Sequence, residues 1–201
     1  SSPTFTHYDI CKKIIKHQIP FLVEKPLTTN PEQIFTLLEH CKINKSINMV
    51  NYIHFYHLDF RKILENFSNK DLYKLTRIES ISGNYGPFRE DTRALWDYGV
   101  HDIAMCIKLL KEEPFKIESN FLKISPKGYK YGEIIKTKLF FKSGKEALLE
   151  FGNLQEKKIK KFIAKTNTEN YIYDPIYSKN INNQIKNIQP LAICIKEFRR
   201  K

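Results

Sequence analysis

Asp97 and His101 stand four residues apart in Trp96-Asp97-Tyr98-Gly99-Val100-His101-Asp102, a spacing that puts both side chains on one face of a helix. An imidazole at the margin of an apolar face, beside a carboxylate, suits a general base in a pocket wall. The same pair also suits a capping aspartate and a structural histidine. Lys25 follows an apolar run, in Val23-Glu24-Lys25-Pro26-Leu27. At the carboxyl end of a parallel strand, where open α/β sheets bind ligands, a lysine can donate hydrogen bonds and charge to a substrate oxygen. Read without further context it is a solvated residue at a strand exit. The proline after it is a candidate for a cis bond that fixes the turn. A third group is Gly83-Asn84-Tyr85-Gly86-Pro87-Phe88-Arg89, in which Arg89 has the chemistry to grip a carboxylate or phosphate, unless the segment is only a surface loop. His54 and His57 have the look of a metal pair, but no third ligand lies nearby in sequence, and four ligands are the norm.

These residues need elements to hold them. Thr6 is placed to cap a helix from about 7 to 17, with Ile10, Cys11 and Ile14 on its apolar side. Ile19-Pro20-Phe21-Leu22-Val23 is a short continuous apolar run, as in a strand buried on both faces of a parallel sheet. Thr29-Asn30-Pro31-Glu32 is a helix start, with a capping residue, proline in the first turn and an early carboxylate. That helix runs to about Ile43, and 47–52 reads as the next strand. Residues 7–52 thus alternate helix and strand, the pattern of a doubly wound α/β unit.

Beyond this point the pattern predicts a helix over 58–67, a strand over 72–82 and a helix over 95–110. Strands follow over 116–124, 133–141, 146–151, 159–164 and 171–173, separated by turns such as Ser125-Pro126-Lys127-Gly128 and Lys142-Ser143-Gly144-Lys145. Successive strands with short turns predict a mostly antiparallel sheet. On the helix over 95–110, Val100, Ile103, Ala104 and Ile107 are expected to form the buried stripe, with Asp102 on the far side. A final helix begins at Pro190. The fold class is therefore α/β plus α+β. A partial Rossmann-type doubly wound parallel sheet occupies 1–52, and an α+β domain with an antiparallel sheet occupies 53–201.

Composition narrows the function. In 201 residues, 41% are hydrophobic and 13% aromatic, enough for a real core. Seven glycines leave little material for phosphate-cradling loops. The net charge of +12 fits an acidic partner or a sugar-nucleotide substrate. However, the lysines are scattered in an Ile- and Asn-rich background and group only briefly, as at Lys157, Lys158, Lys160 and Lys161, which argues against a nucleic-acid partner. Cys11, Cys41, Cys106 and Cys194 have no CxxC spacing and read as reduced thiols in a cytoplasmic protein. No apolar run approaches the length of a membrane span.

Glu24-Lys25-Pro26 is similar to the EKP motif of the Gfo/Idh/MocA oxidoreductases. The segment from Pro3 through His7 to Val23 resembles the family's approach to that motif, and Asp97-x-Gly99-x-His101-Asp102 resembles its second motif. The likeness covers nearly the whole chain.

The resemblance implies an NAD(P)-dependent sugar dehydrogenase, passing a hydride between nicotinamide and a hydroxyl of a sugar, cyclitol or sugar nucleotide. It implies catalytic roles for Lys25, Asp97 and His101, and cofactor contacts from His7, Glu24, Lys25 and Pro26. NAD or NADP is the implied cofactor, and a homo-oligomer through the sheet is implied as a partner. Tyr52, His54 and Arg89 are candidates for substrate binding. The chain departs from the pattern at 52–57, Tyr52-Ile53-His54-Phe55-Tyr56-His57, where the family carries Arg-Phe and a proline. The family's GxGxxG segment is also not in this sequence. The sequence therefore reads as a form truncated at the N-terminus and C-terminus. Weak NAD(P) binding by the chain alone is expected, and a non-catalytic remnant or binding subunit associating through its β-sheet is the alternative.

Overall fold

The apolar run before Glu24 becomes strand β1 (Phe21–Glu24), and β2 (Asn48–Asn51) lies parallel to it with Phe21 opposite Asn48 and Glu24 opposite Asn51. Helix α1 (His7–Lys16) precedes β1, and α2 (Pro31–Ile43) forms the crossover. The start of α2 is as the sequence predicts: Pro31 is in its first turn, and the amide of Glu32 donates to the Asn30 side chain at 2.9 Å. The predicted cap of α1 is not made. Thr6 instead donates its hydroxyl to the Pro3 carbonyl at 2.7 Å, closing the turn that precedes the helix. Cys11, Ile15 and Leu37 form the small core of this part. The computed structural model describes residues 2–67, 71–89, 92–125, 132–177 and 189–200. The predicted turn at 125–128 lies mostly outside them.

Past a short turn at Ile53–Tyr56 comes α3 (Leu58–Asn66), then β3 (Arg77–Tyr85), α4 (Val100–Leu110) and the strands β4 (Lys116–Ile124), β5 (Glu133–Phe140), β6 (Glu146–Gly152), β7 (Leu154–Lys165) and β8 (Asn170–Tyr173). Helix α5 (Pro190–Phe198) is the last element. The six strands form one sheet in the order β4-β5-β6-β3-β7-β8. Only the β3–β6 pair is parallel; the others are antiparallel. The strand predicted at 72–82 begins later, at Arg77, because Leu72–Lys74 closes a tight turn first, and it continues to Tyr85 because Gly83 and Tyr85 still find partners on β7.

One face of this sheet is covered by helices. Ile78, Ala147, Leu149, Phe151, Phe162 and Ala164 pack against Phe60 and Ile63 of α3 and Met105, Cys106, Leu109 and Leu110 of α4. This corrects the predicted stripe on α4. Val100, Ile103, Ala104 and Ile107 are only half-buried, and the face that meets the sheet runs through Asp102, Met105, Cys106, Leu109 and Leu110. Asp102 was misplaced because a buried carboxylate looks polar in a hydrophobic pattern, although paired charges do occur inside.

Candidate active site

Lys25 is held at the carboxyl end of β1, and the peptide bond that follows it to Pro26 is cis. Its ammonium donates to the backbone carbonyl of Asp97 at 2.5 Å and to the Asp97 carboxylate at 3.1 Å. Two predicted residues 72 positions apart in sequence therefore meet. An ammonium has three N–H donors, so among the described residues one remains for a ligand. Asp97 lies in a wide turn at Leu95–Gly99 that leads into α4 and in which the Val100 amide reaches back to Leu95. Such single wide turns recur at functional sites. His101 follows in the first turn of α4.

The environment of His101 holds its imidazole neutral. Its pKa is pushed down to about 2, first by burial and then by the positive charges of Lys25 and Lys160. Its Nδ1 is buried and finds no hydrogen-bond partner among the described residues. The ring stands 4.6 Å from that of His54 at 81°, and 6.2 Å from that of Tyr52 at 84°. Tyr52 also stacks on Phe55 at 5.3 Å, and burial raises its phenol pKa. His54 is likewise driven well below the usual imidazole range, by burial first and then by Lys160, His101, His57 and Lys25. Lys25, Tyr52, His54, Asp97 and His101 are thus brought together from the end of β1, the segment after β2, and the entry to α4.

The other predicted residues are placed differently. Glu24 accepts a hydrogen bond from Asn51 at 2.8 Å across the ends of β1 and β2, and the Cys194 thiol of α5 points at the Asn51 amide oxygen at 3.4 Å. His7 is buried, with its ring nitrogens facing the carbonyls of Pro26 at 2.9 Å and Ser2 at 3.1 Å. It ties α1 to the turn that carries Pro26. Arg89 is exposed on the loop after β3, where its charge is felt by Tyr98. For His54 and His57, among the described residues no group of three or more His, Cys, Asp or Glu side chains is arranged to hold a metal ion.

Sequence reasoning missed a second buried layer beneath His101. Asp102, fully buried, pairs with Lys160 of β7. It also accepts from Ser80 at 2.7 Å and from Ser82, both on the inner face of β3. The signal was available only in part. Ser80 and Ser82 fall on the alternate positions that Ile78 marks as inward, but Lys160 sits in a run of lysines that looks solvated.

A parallel α/β unit with the candidate residues at its strand ends is followed by a sheet backed by helices on one face and without a cover on the other among the described residues, and in open α/β sheets ligands bind at such strand ends. The resemblance to the Gfo/Idh/MocA oxidoreductases is borne out. Residues 1–52 match that family, described as an oxidoreductase family with an NAD-binding Rossmann fold. The whole fold is also similar to solved structures. A protein from Magnetospirillum magnetotacticum MS-1 assigned as an oxidoreductase superposes with a TM-score of 0.81 at 20% identity, covering 98% of this chain and 68% of that one. The UDP-N-acetylglucosamine 3-dehydrogenase GnnA of Acidithiobacillus ferrooxidans gives 0.75 at 16% identity, over 87% of this chain and 55% of that one. A myo-inositol dehydrogenase of Corynebacterium glutamicum gives 0.74 at 18% identity, over 87% and 55%. The chain therefore spans between 55% and 68% of the length of these three. A search of curated proteins finds no match. Among the described residues no helix is long and apolar enough to cross a membrane.

Proposed function

We propose that this chain serves in the NAD(P)-dependent oxidation of a hydroxyl on a sugar, cyclitol or sugar nucleotide, with His101 as the proton acceptor and Lys25 as the group that polarises the reacting oxygen. The observation that carries this reading is the meeting of Lys25 with Asp97 one turn before a buried, neutral imidazole. Residues 1–52 are taken as the dinucleotide-binding part and 53–201 as the part that shapes the substrate site and the contact between copies.

The residues present fit the nicotinamide end of such a cofactor. Glu24, Lys25 and Pro26 lie at the carboxyl end of a parallel strand, and the orphaned Nδ1 of His101 marks a buried polar position still to be satisfied. When bound, the nicotinamide supplies the hydride acceptor. The protein does the rest. Asp97 holds Lys25, whose free N–H takes the substrate oxygen. His101 takes the hydroxyl proton through a ring-nitrogen lone pair. The negative charge left on the oxygen offsets the charge of Lys25, which after burial is the next cause that keeps His101 neutral. His7 acts as a positioning residue, fixing the turn at Pro26. Tyr52 and His54 face the substrate.

The free cysteines Cys11, Cys41, Cys106 and Cys194 suit a reducing, cytoplasmic setting. Reduction of NAD+ and NADP+ by a panel of cyclitols, sugars and sugar nucleotides tests the proposal. With cofactor in large excess, since weak binding by the chain alone is expected, one panel member should support turnover, and replacing His101 by Asn should slow it by about 10²–10⁴-fold. A rate unchanged by His101→Asn, or no turnover with any alcohol, would remove the proposal.

A further inference from the structure

His54 stands beside the proposed proton acceptor. It lies in the turn after β2, and its Nδ1 is 2.7 Å from the hydroxyl oxygen of Tyr173. Tyr173 ends β8, opposite Phe162 of β7, and is fully buried. Its ring contacts those of His57 at 5.0 Å, His54 at 5.8 Å and Phe60 at 6.0 Å, so the phenol has little freedom to turn elsewhere.

What His54 offers its surroundings depends on which atom owns the proton in this bond. Burial raises the pKa of the Tyr173 phenol, and the carboxylates of Asp59, Asp102 and Asp174 raise it further. The hydroxyl keeps its hydrogen. A buried O–H needs an acceptor, and Nδ1 of His54 is at hydrogen-bonding distance. His54 is held neutral by burial and by Lys160, His101, His57 and Lys25. A neutral imidazole has one lone pair and one N–H. With the lone pair of Nδ1 engaged, the proton must sit on Nε2. The opposite tautomer would leave the Tyr173 hydrogen without this acceptor.

We infer that Tyr173 is a positioning residue: its hydroxyl locks His54 as the Nε2–H tautomer, so that the site sets a proton-donating imidazole, His54, against a proton-accepting one, His101. The two rings meet edge to face at 4.6 Å, close enough for one small ligand to touch both. A polyol suits this pairing. One hydroxyl gives its proton to His101, while an oxygen lone pair of the same or the adjacent carbon accepts from His54. That last step rests on the proposed oxidoreductase reading; the tautomer does not.

Long-range ¹H–¹⁵N correlation spectra of the full chain, labelled at histidine nitrogen, read each tautomer directly. His54 is assigned by its loss in His54→Gln. The expected wild-type pattern is a protonated Nε2 and a bare Nδ1 at neutral pH. In Tyr173→Phe, which keeps the ring and loses only the hydroxyl, the Nδ1–H form should grow to a comparable population. A wild-type His54 protonated on Nδ1, or on both nitrogens, overturns the inference. So does an unchanged tautomer ratio in a Tyr173→Phe protein of native circular dichroism. If that variant does not fold, the wild-type spectrum still decides. Should the pattern hold while no alcohol is oxidised, the oxidoreductase reading falls and the tautomer assignment stands.

Discussion

In the unfolded chain an imidazole takes up a proton near pH 6.5; in the fold His101 resists it down to about pH 2, through burial and then the charges of Lys25 and Lys160. Between those values the unfolded state binds more protons than the native state, so stability falls as the pH drops below 6.5. The slope is about 1.4 kcal/mol per pH unit for this residue, which gives about 2 kcal/mol by pH 5. Urea denaturation of wild type and His101→Gln at pH 7.5 and pH 5 checks this. The variant should lose about 2 kcal/mol less on acidification, while the loss from His54 remains in both proteins. Parallel losses would mean that the ring is hydrated and free to protonate. The grouping of Lys25, Asp97 and His101 was legible in the sequence because Asp97 and His101 are local neighbours and Lys25 closes an apolar run. The layer beneath was not. Asp102 and Lys160 are 58 residues apart, and each looks solvated beside its neighbours. Leaving either one alone would cost about 3–5 kcal/mol, so their pairing is fixed only once the sheet has formed.

The element that aims the site is the wide turn at Leu95–Gly99. Its geometry depends on how closely it can lie on the sheet. Gly99 is buried, and a Cβ built there would stand 2.7 Å from the ring of Phe151 on β6. The contact involves the rigid end of a fully buried aromatic ring, which has no room to withdraw. Gly99→Ala should therefore cost about 1–3 kcal/mol by overpacking, a fall in melting temperature of about 2–4 °C per kcal/mol for a chain of this size. It should also push the turn outward and weaken the Lys25–Asp97 contact. A thermal melt reads the first effect. A drop in turnover beyond what the melt explains reads the second, and an unaltered melting temperature would show that the turn can slide. The sequence marks the helix but not its wide first turn, because hydrophobic periodicity does not distinguish five-residue from four-residue spacing within a single turn. It finds the strands at 116–124 and 133–141 from alternation and short turns. It could not show that β3 runs parallel to β6, since that pairing joins strands separated by α4 and by two more strands.

At the scale of the whole molecule, the face of the six-stranded sheet away from the helices lacks a cover among the described residues. A shallow depression there is lined by Glu79, Ile81, Lys136, Leu148, Glu150 and Lys161. Across four strands the row runs Lys161, Ile81, Glu150, Lys136, and the neighbouring row runs Ile163, Glu79, Leu148, Lys138. Cations and carboxylates thus alternate around apolar side chains. A face carrying both signs can meet a copy of itself about a twofold axis, each lysine opposite a carboxylate. At the sheet's edge, β4 adds Asn120 and Glu118 to this face, opposite Lys136 and Lys138, and its backbone edge, unpaired among the described residues, favours further pairing. The expected assembly is a homo-oligomer closed over this face. A charge reversal at its centre, Glu150→Lys, puts like charges together while leaving the helix-covered core untouched. It should cost about 2 kcal/mol or more per interface, a weakening of about 30-fold. Sedimentation equilibrium in low salt measures it. Wild type should sediment as an oligomer and Glu150→Lys as a lighter species at the same concentration, with the difference narrowing as salt screens the repulsion. A wild-type chain that stays monomeric at high micromolar concentration would leave the open face to some other use.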